Sequence, residues 1–82
     1  MESIEIFKCP SKWVVKIGTE IIIYKNVDDA IDFVETLGIK ADEADAALIA
    51  LIGNNHTRAS FGVMEGNFMF SDTAIPPSVG SS

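Results

Sequence analysis

The chain has 82 residues and a formal net charge of −6, and 48% of its residues are hydrophobic. This length allows one domain, and the apolar fraction is too high for a chain that stays disordered. The single cysteine, Cys9, excludes an internal disulfide. We expect Cys9 to act as a small apolar side chain rather than as a reactive thiol.

The sequence carries no pattern typical of export or of membrane insertion. Its first five residues form neither a basic segment nor a long apolar segment, so we expect no signal peptide. The longest apolar stretch with helical character, residues 44–52, is far shorter than the ~20 residues of a membrane span. We therefore expect a cytoplasmic protein that does not interact with membranes.

The first third of the chain has the period-two alternation of β-strands. Residues 3–9 and 12–17 alternate between two faces, residues 20–25 follow as a third run, and β-branched and aromatic residues dominate these segments. The intervening turn Gly18-Thr19 has glycine first, which suits a type II′ hairpin. These features predict an antiparallel meander of three strands.

The middle of the chain has helical periodicity. We expect a first helix that is N-capped by Asn26 and ends before Gly38, which stands where a C-terminal helix glycine belongs. A second helix is predicted from residue 41 or 42 to residue 52, with Asp42 and Asp45 resembling a capping box. The last two turns of this helix are apolar nearly all round, so we expect it to be enclosed or to pack against another chain.

The remaining elements complete an α+β pattern. Residues 57–64 and 67–71 are predicted to be strands, and residues 72–82, rich in Pro, Gly and Ser, a flexible tail. The order β-β-β-α-α-β-β predicts one two-layer domain over residues 1–71, a mostly antiparallel sheet of about five strands with two helices on one face. The strand order stays open, because the last hairpin fits at either edge. The predicted core comprises Trp13, Val15, Ile17, Ile21, Ile23, Ile31, Val34, Leu37, Leu48, Leu51, Phe61 and Phe68.

Negative charge is concentrated in the predicted helices. Residues 26–45 carry seven acids against Lys40 alone, a net charge of −6 for that segment. Such a segment repels nucleic acid and membrane surfaces and attracts basic partners. The pattern contains neither a calcium loop nor a Cys and His cluster for zinc, so we expect no metal and no cofactor. The predicted partner-binding residues are Asp28, Asp32, Glu35, Asp42, Glu43 and Asp45.

A second candidate site lies in the polar segment after the second helix. His56 is the only histidine, and Arg58 and Ser60 follow it at alternate positions. A histidine that titrates near neutral pH can act as a general base. No nucleophile or orienting carboxylate stands at a recognisable spacing from it. We therefore predict no catalytic residue, and we treat these three residues as a possible ligand site.

Direct binding of nucleic acid is not expected. The meander and first helix, roughly residues 3–37, resemble in topology the small sheet domains with which AP2-type and integrase arm-type proteins read DNA. Those domains are basic and present arginines on the reading sheet. Here the single arginine is Arg58 and the net charge is −6.

These observations favour a small acidic protein-binding module without enzymatic activity. A regulator, an inhibitor or an accessory protein fits this description, including the small inhibitors made by phages and other mobile elements. Because so apolar a short chain is expected to leave apolar surface exposed, we expect a protein partner or a homo-oligomer, most simply a dimer. The alternatives are a mimic that blocks a nucleic-acid-binding protein, or a small enzyme or ligand-binding domain with a site near His56.

Overall fold

The structure is a computed structural model, and it describes residues 3–73. The described residues form an α+β domain, as the sequence predicts. The predicted tail lies, from residue 74 onward, outside the described residues. In chain order the elements are β1 (Ile4–Lys8), β2 (Trp13–Ile17), β3 (Glu20–Tyr24), α1 (Val27–Thr36), α2 (Ala41–Leu48), a π-helical segment (Ile49–Gly53), β4 (Arg58–Gly62) and β5 (Asn67–Ser71).

The strands form one five-stranded antiparallel sheet with the order β3-β2-β1-β4-β5. This order answers the question that the sequence left open, because the last hairpin joins the sheet through β4 beside β1. β1 is therefore the central strand, and β3 and β5 are the two edges. Gly18 in the β2–β3 turn has a φ of 59°, and Asn55 is the only non-glycine residue with positive φ in residues 3–73. A positive φ at Gly18, without one at Thr19, agrees with the predicted type II′ turn.

Both helices pack on the same face of the sheet, and the core lies between the two layers. The fully buried side chains include Ile4 and Ile6 of β1, Val15 of β2, Val34 of α1 and Leu51 of the π-helical segment. Each of these side chains contributes roughly 1.5–3 kcal/mol through its removal from water. Four alanines, Ala30, Ala44, Ala47 and Ala59, are also buried there and let the helices approach the sheet closely.

The predicted core is largely confirmed, with one error at β3. Ile31, Val34, Leu51, Phe68 and Val15 are buried, and Trp13, Ile17, Leu37, Leu48 and Phe61 are half-buried against the core. The prediction is wrong for Ile23, which is 46% exposed, and Ile21 is only half-buried. β3 is an edge strand, and in its register Ile21 and Ile23 lie on the side away from the helices.

The sheet face away from the helices is called the distal face here. It carries two rows of side chains across the strands, Ile23, Val14, Phe7, Arg58 and Ser71 in one row and Ile21, Lys16, Glu5, Ser60 and Met69 in the other. The alternation predicts that this face of β2 is largely wet, but Val14 is fully buried and Phe7 is almost fully buried. The two residues face each other across the central strands, where Ile23 and Arg58 flank them in the same row.

The helix ends follow the predictions in part. Asn26 is the N-cap residue of α1, although its side chain makes no capping hydrogen bond, and the Gly38 backbone N–H donates to the Glu35 carbonyl at 3.1 Å. Gly38 has a φ of 96°, as its predicted role requires. The predicted capping box is wrong, because Lys40 is the N-cap of α2 and Asp42 already lies inside the helix. The Asp42 side chain accepts instead from the adjacent Glu43 N–H at 3.0 Å.

Candidate functional site

The acids of the two helices face away from the sheet. Their carboxylates, together called the acidic helical surface, belong to Asp28, Asp29, Asp32, Glu35, Asp42, Glu43 and Asp45. All seven residues are exposed except Glu43, which is half-buried. They lie there because the apolar stripes of α1 and α2 turn inward onto the sheet, so the polar sides are left facing solvent. The structure thus places the six predicted partner-binding residues on one layer of the domain.

This surface keeps its negative charge. Within residues 3–73, the ion pairs of the structure both involve Glu5, which lies on the other side of the sheet. Four of the helix acids, Asp28, Asp29, Asp42 and Glu43, lie in first turns, where the helix dipole favours them. Neither α-helix has a basic residue in its last turn. The helical layer therefore presents a negative potential that no described cation neutralises at close range.

An exposed stripe along α2 and the π-helical segment changes from acidic to apolar. Asp42, Asp45, Ile49 and Ile52 follow one another at spacings of three, four and three residues, and all four are exposed. The two isoleucines, called the apolar end here, are 61% and 53% exposed. Burying such side chains against a partner is favourable, because water surrounds them in the free chain. The acids and the apolar end therefore follow one another along the same exposed stretch of the helical layer.

The π-helical segment decides which side chains the apolar end exposes. The Asn54 backbone N–H donates to the Ile49 carbonyl at 3.0 Å, a hydrogen bond over five residues that widens the last turn. Ala50 and Leu51 are both buried in this turn, while Ile49 and Ile52 point outward. The sequence-based prediction did not include the two isoleucines among the binding residues. The sequence held no signal that singled them out, because this part of the chain reads as apolar nearly all round.

Two cations of the distal face share one acid. Glu5 lies with Oε1 3.6 Å from Lys16 Nζ and with Oε2 2.9 Å from Arg58 Nε. The Arg58 N–H does not point at the carboxylate, so this contact is an ion pair without hydrogen-bond geometry. Lys8 does not join this face, because it lies on the helical side and contacts the Asn55 side chain. These three side chains of the distal face therefore keep one net positive charge.

The second candidate site is only partly assembled. Arg58 and Ser60 line a shallow cleft of about 220 Å³ on the sheet, together with Met69, Phe70 and Ser71. His56 is not part of this lining, because its ring stacks on Phe70 at a centroid distance of 5.7 Å and its backbone N–H donates to the Ala50 carbonyl. Among the described residues, His56 Nδ1 has no hydrogen-bond partner. A ligand at Arg58 and Ser60 stays a prediction, and no hydrogen bond joins His56 to either of them within the described chain.

Other indicators of function are few. Residues 3–73 contain no group of three His, Cys, Asp or Glu side chains able to hold a metal ion. In the same part of the chain, no helix combines the length and apolar character needed to cross a membrane. Comparison of the chain with protein-family models, curated proteins and solved structures gives no match. The acidic helical surface and the apolar end remain the candidate site on geometry alone.

Proposed function

We propose that this chain is a small non-enzymatic binding module that docks on a partner protein through the acidic helical surface and the apolar end. The partner offers an apolar groove bordered by lysines or arginines. The supporting observation is the exposed stripe in which Asp42 and Asp45 run directly into Ile49 and Ile52. A helix face that only contacts solvent has a use for acids. Two exposed isoleucines next to those acids do not stabilise such a face, but they can contact a partner.

The two parts of the surface have different roles in such a complex. Ile49 and Ile52 serve as anchors, because a few desolvated apolar side chains usually carry most of the binding free energy. The carboxylates raise the association rate and select a basic partner, since charge complementarity acts mainly on encounter and specificity. Binding of this kind suits a regulator, an inhibitor or an accessory protein that covers a basic surface of its target. We also propose that it acts in the cytoplasm.

A second candidate function is mimicry of nucleic acid. Seven carboxylates without ion-pair partners in the described chain, spread over two helices, favour this alternative. A mimic displaces DNA or RNA from its target, and its affinity depends on the acids far more than on Ile49 and Ile52. Competition between the chain and nucleic acid for the captured partner separates the two functions.

Capture by immobilised chain, quantified by mass spectrometry, tests the main proposal. The Ile49→Ser/Ile52→Ser variant should lose the partner, and Asp42→Lys/Asp45→Lys should weaken capture most strongly at low salt. Met69→Ser is the matched control for the isoleucines, because Met69 is 65% exposed on the distal face. Glu20→Lys is the control for the charge reversal, because Glu20 is exposed on β3 and lies outside the helices.

The expected result is one partner that both controls retain and both test variants lose or weaken. Capture should also fall as salt rises from about 50 to about 500 mM, over which the Debye length shrinks several-fold. A partner that is retained at high salt and by both test variants contradicts the proposed surface. If the isoleucine variant loses the partner but charge reversal does not weaken capture, only the electrostatic part of the proposal is contradicted.

A further inference from the structure

The outer edge of β3 has the features of an unprotected strand edge. No described residue pairs with it, because β3 ends the sheet order within residues 3–73. The strand contains three consecutive isoleucines, Ile21 to Ile23, and its pairing with β2 is continuous without a bulge. Proteins usually protect such an edge with proline, lysine or a bulge, because bare edges pair with other strands. None of these devices occurs within Glu20–Tyr24.

The hairpin turn determines which backbone groups of β3 point outward. A two-residue turn closes with a hydrogen-bonded pair, here Ile17 and Glu20. Hydrogen-bonded and non-hydrogen-bonded pairs alternate along an antiparallel ladder, so Ile22 and Tyr24 also bond to β2. The N–H and C=O groups of Ile21 and Ile23 therefore point away from the sheet. They offer two donors and two acceptors to an incoming strand.

We infer that two copies of this chain pair through their β3 edges, antiparallel about a two-fold axis at Ile22, and form a continuous ten-stranded sheet. The axis runs perpendicular to the sheet, so each residue must pair with one that lies on the same face. Pairing Ile21 of one copy with Ile23 of the other meets this condition. It satisfies all four outward groups of each strand, whereas a shift by two residues in either direction leaves some of them unpaired.

The side chains fit the same register. Ile21 and Ile23 lie on the distal face, and pairing brings four isoleucines together across the axis. This contact covers Ile23, which is 46% exposed in the single chain. Facing pairs of β-branched side chains stabilise antiparallel sheets. On the helical face Ile22 meets its own copy, and Glu20 faces Tyr24, so no like charges are opposed within the strand pair.

The charge of the helices gives this dimer a distinctive salt dependence. α1 packs over β2 and β3, so the dimer brings two copies of α1 with their exposed acids toward each other. Salt screens this repulsion, and we therefore expect the dimer to tighten as salt rises. Partner binding through the acidic helical surface should weaken under the same change. The two associations use different surfaces, and either one can fail while the other holds.

Sedimentation equilibrium of the purified chain, from about 1 µM to about 1 mM, spans the range expected for a contact of only a few residues a side. The chain should dimerise reversibly, and Ile23→Lys should raise the dissociation constant about tenfold or more. Met69→Lys is the control, because it also puts a lysine in place of an exposed apolar side chain on the same face, at the opposite edge. It should leave the dissociation constant within about twofold.

Disulfide formation tests the register directly in a Cys9→Ser background. A cysteine replacing Ile22 meets its own copy with Cα atoms about 4.5 Å apart, within disulfide range. A cysteine replacing Ile21 is offset from its copy by two residues along the strand, too far for a bridge. Oxidation should therefore give covalent dimers with Ile22→Cys and few with Ile21→Cys, and circular dichroism of the reduced variants verifies their folding.

Three results would overturn the inference. The first is a wild-type chain that stays monomeric at about 1 mM and at high salt. The second is a dimer that Met69→Lys disrupts as much as Ile23→Lys does. The third is equal covalent dimerisation of the two cysteine variants, which would show chance collision rather than a defined register.

Discussion

Glu5 is the residue that couples three strands of the distal face. Its carboxylate on β1 reaches Lys16 on β2 and Arg58 on β4, and the Glu5 side chain is only 18% exposed. A carboxylate held so far from water needs its cations, because an unpaired charge loses hydration without compensation. The two cations are more than a third exposed, so solvent screens each pair and keeps its contribution small.

We predict that Glu5→Gln lowers the free energy of unfolding by about 0.5–1.5 kcal/mol. The substitution keeps the shape of the side chain but removes the charge that Lys16 and Arg58 share. Urea unfolding followed by circular dichroism measures the difference. Asp32→Asn is the control, because Asp32 is exposed and has no ion pair in the described chain. Equal destabilisation by the two substitutions would show that the cluster on the distal face does not contribute.

The sequence contained the members of this cluster but not their pairing. Glu5 and Arg58 are more than fifty residues apart, and only the strand order brings β1 beside β4. The same limitation applies to His56 and Arg58, which are neighbours in sequence. His56 stacks on Phe70 after the π-helical segment, and Arg58 reaches across the sheet to Glu5. Proximity in sequence therefore does not show how these side chains are arranged, and the ligand site at His56, Arg58 and Ser60 stays a prediction.

At the scale of elements, the π-helical segment is the feature that links packing to the candidate site. It continues α2 by one wide turn and buries Leu51 while it exposes Ile52. In an uninterrupted α-helix this part of the chain reads as apolar nearly all round, so the sequence does not reveal which isoleucine or leucine faces outward. Leu51 packs in the core between the helices and the sheet. These tertiary contacts accompany the widened turn, and a local sequence pattern does not predict them.

Truncation of the two neighbouring side chains tests this assignment. Leu51→Ala should cost about 2–5 kcal/mol, because it leaves a cavity in the core of a small and marginally stable domain. Ile52→Ala should cost less than about 1 kcal/mol, because more than half of that side chain already contacts water. Thermal or urea unfolding of both variants measures the difference. Similar costs would mean that the helix turns differently at this point.

Local patterns predicted most of the other elements. Alternation and strand propensity gave all five strands and the inward side of β2, and Asn26 and Gly38 marked the ends of α1. Errors occurred where position in the sheet overrides local preference. Ile23 has high strand propensity on either face, but on an edge strand it has a described neighbouring strand on one side only, and it is 46% exposed. The capping box failed because Lys40 precedes α2 and the helix starts without a side-chain cap.

At the scale of the whole molecule, each layer offers an exposed apolar surface of its own. The helical layer carries the acids together with Ile49 and Ile52, and the strand layer offers an apolar edge at β3. The concentration of acids could be predicted from the sequence, because it needs only helical periodicity. The continuity of these acids with the apolar end could not, since it depends on the turn that the π-helical segment adds.

Hydrogen exchange of the chain, alone and bound to a captured partner, is the measurement that tests the binding surface most directly. Amides of residues 41–54 should exchange more slowly in the complex, because docking at Ile49 and Ile52 stabilises α2 and the π-helical segment against local opening. Amides of β4 and β5 should change little. Protection confined to those strands, with α2 and the π-helical segment unaffected, would contradict the proposed binding surface.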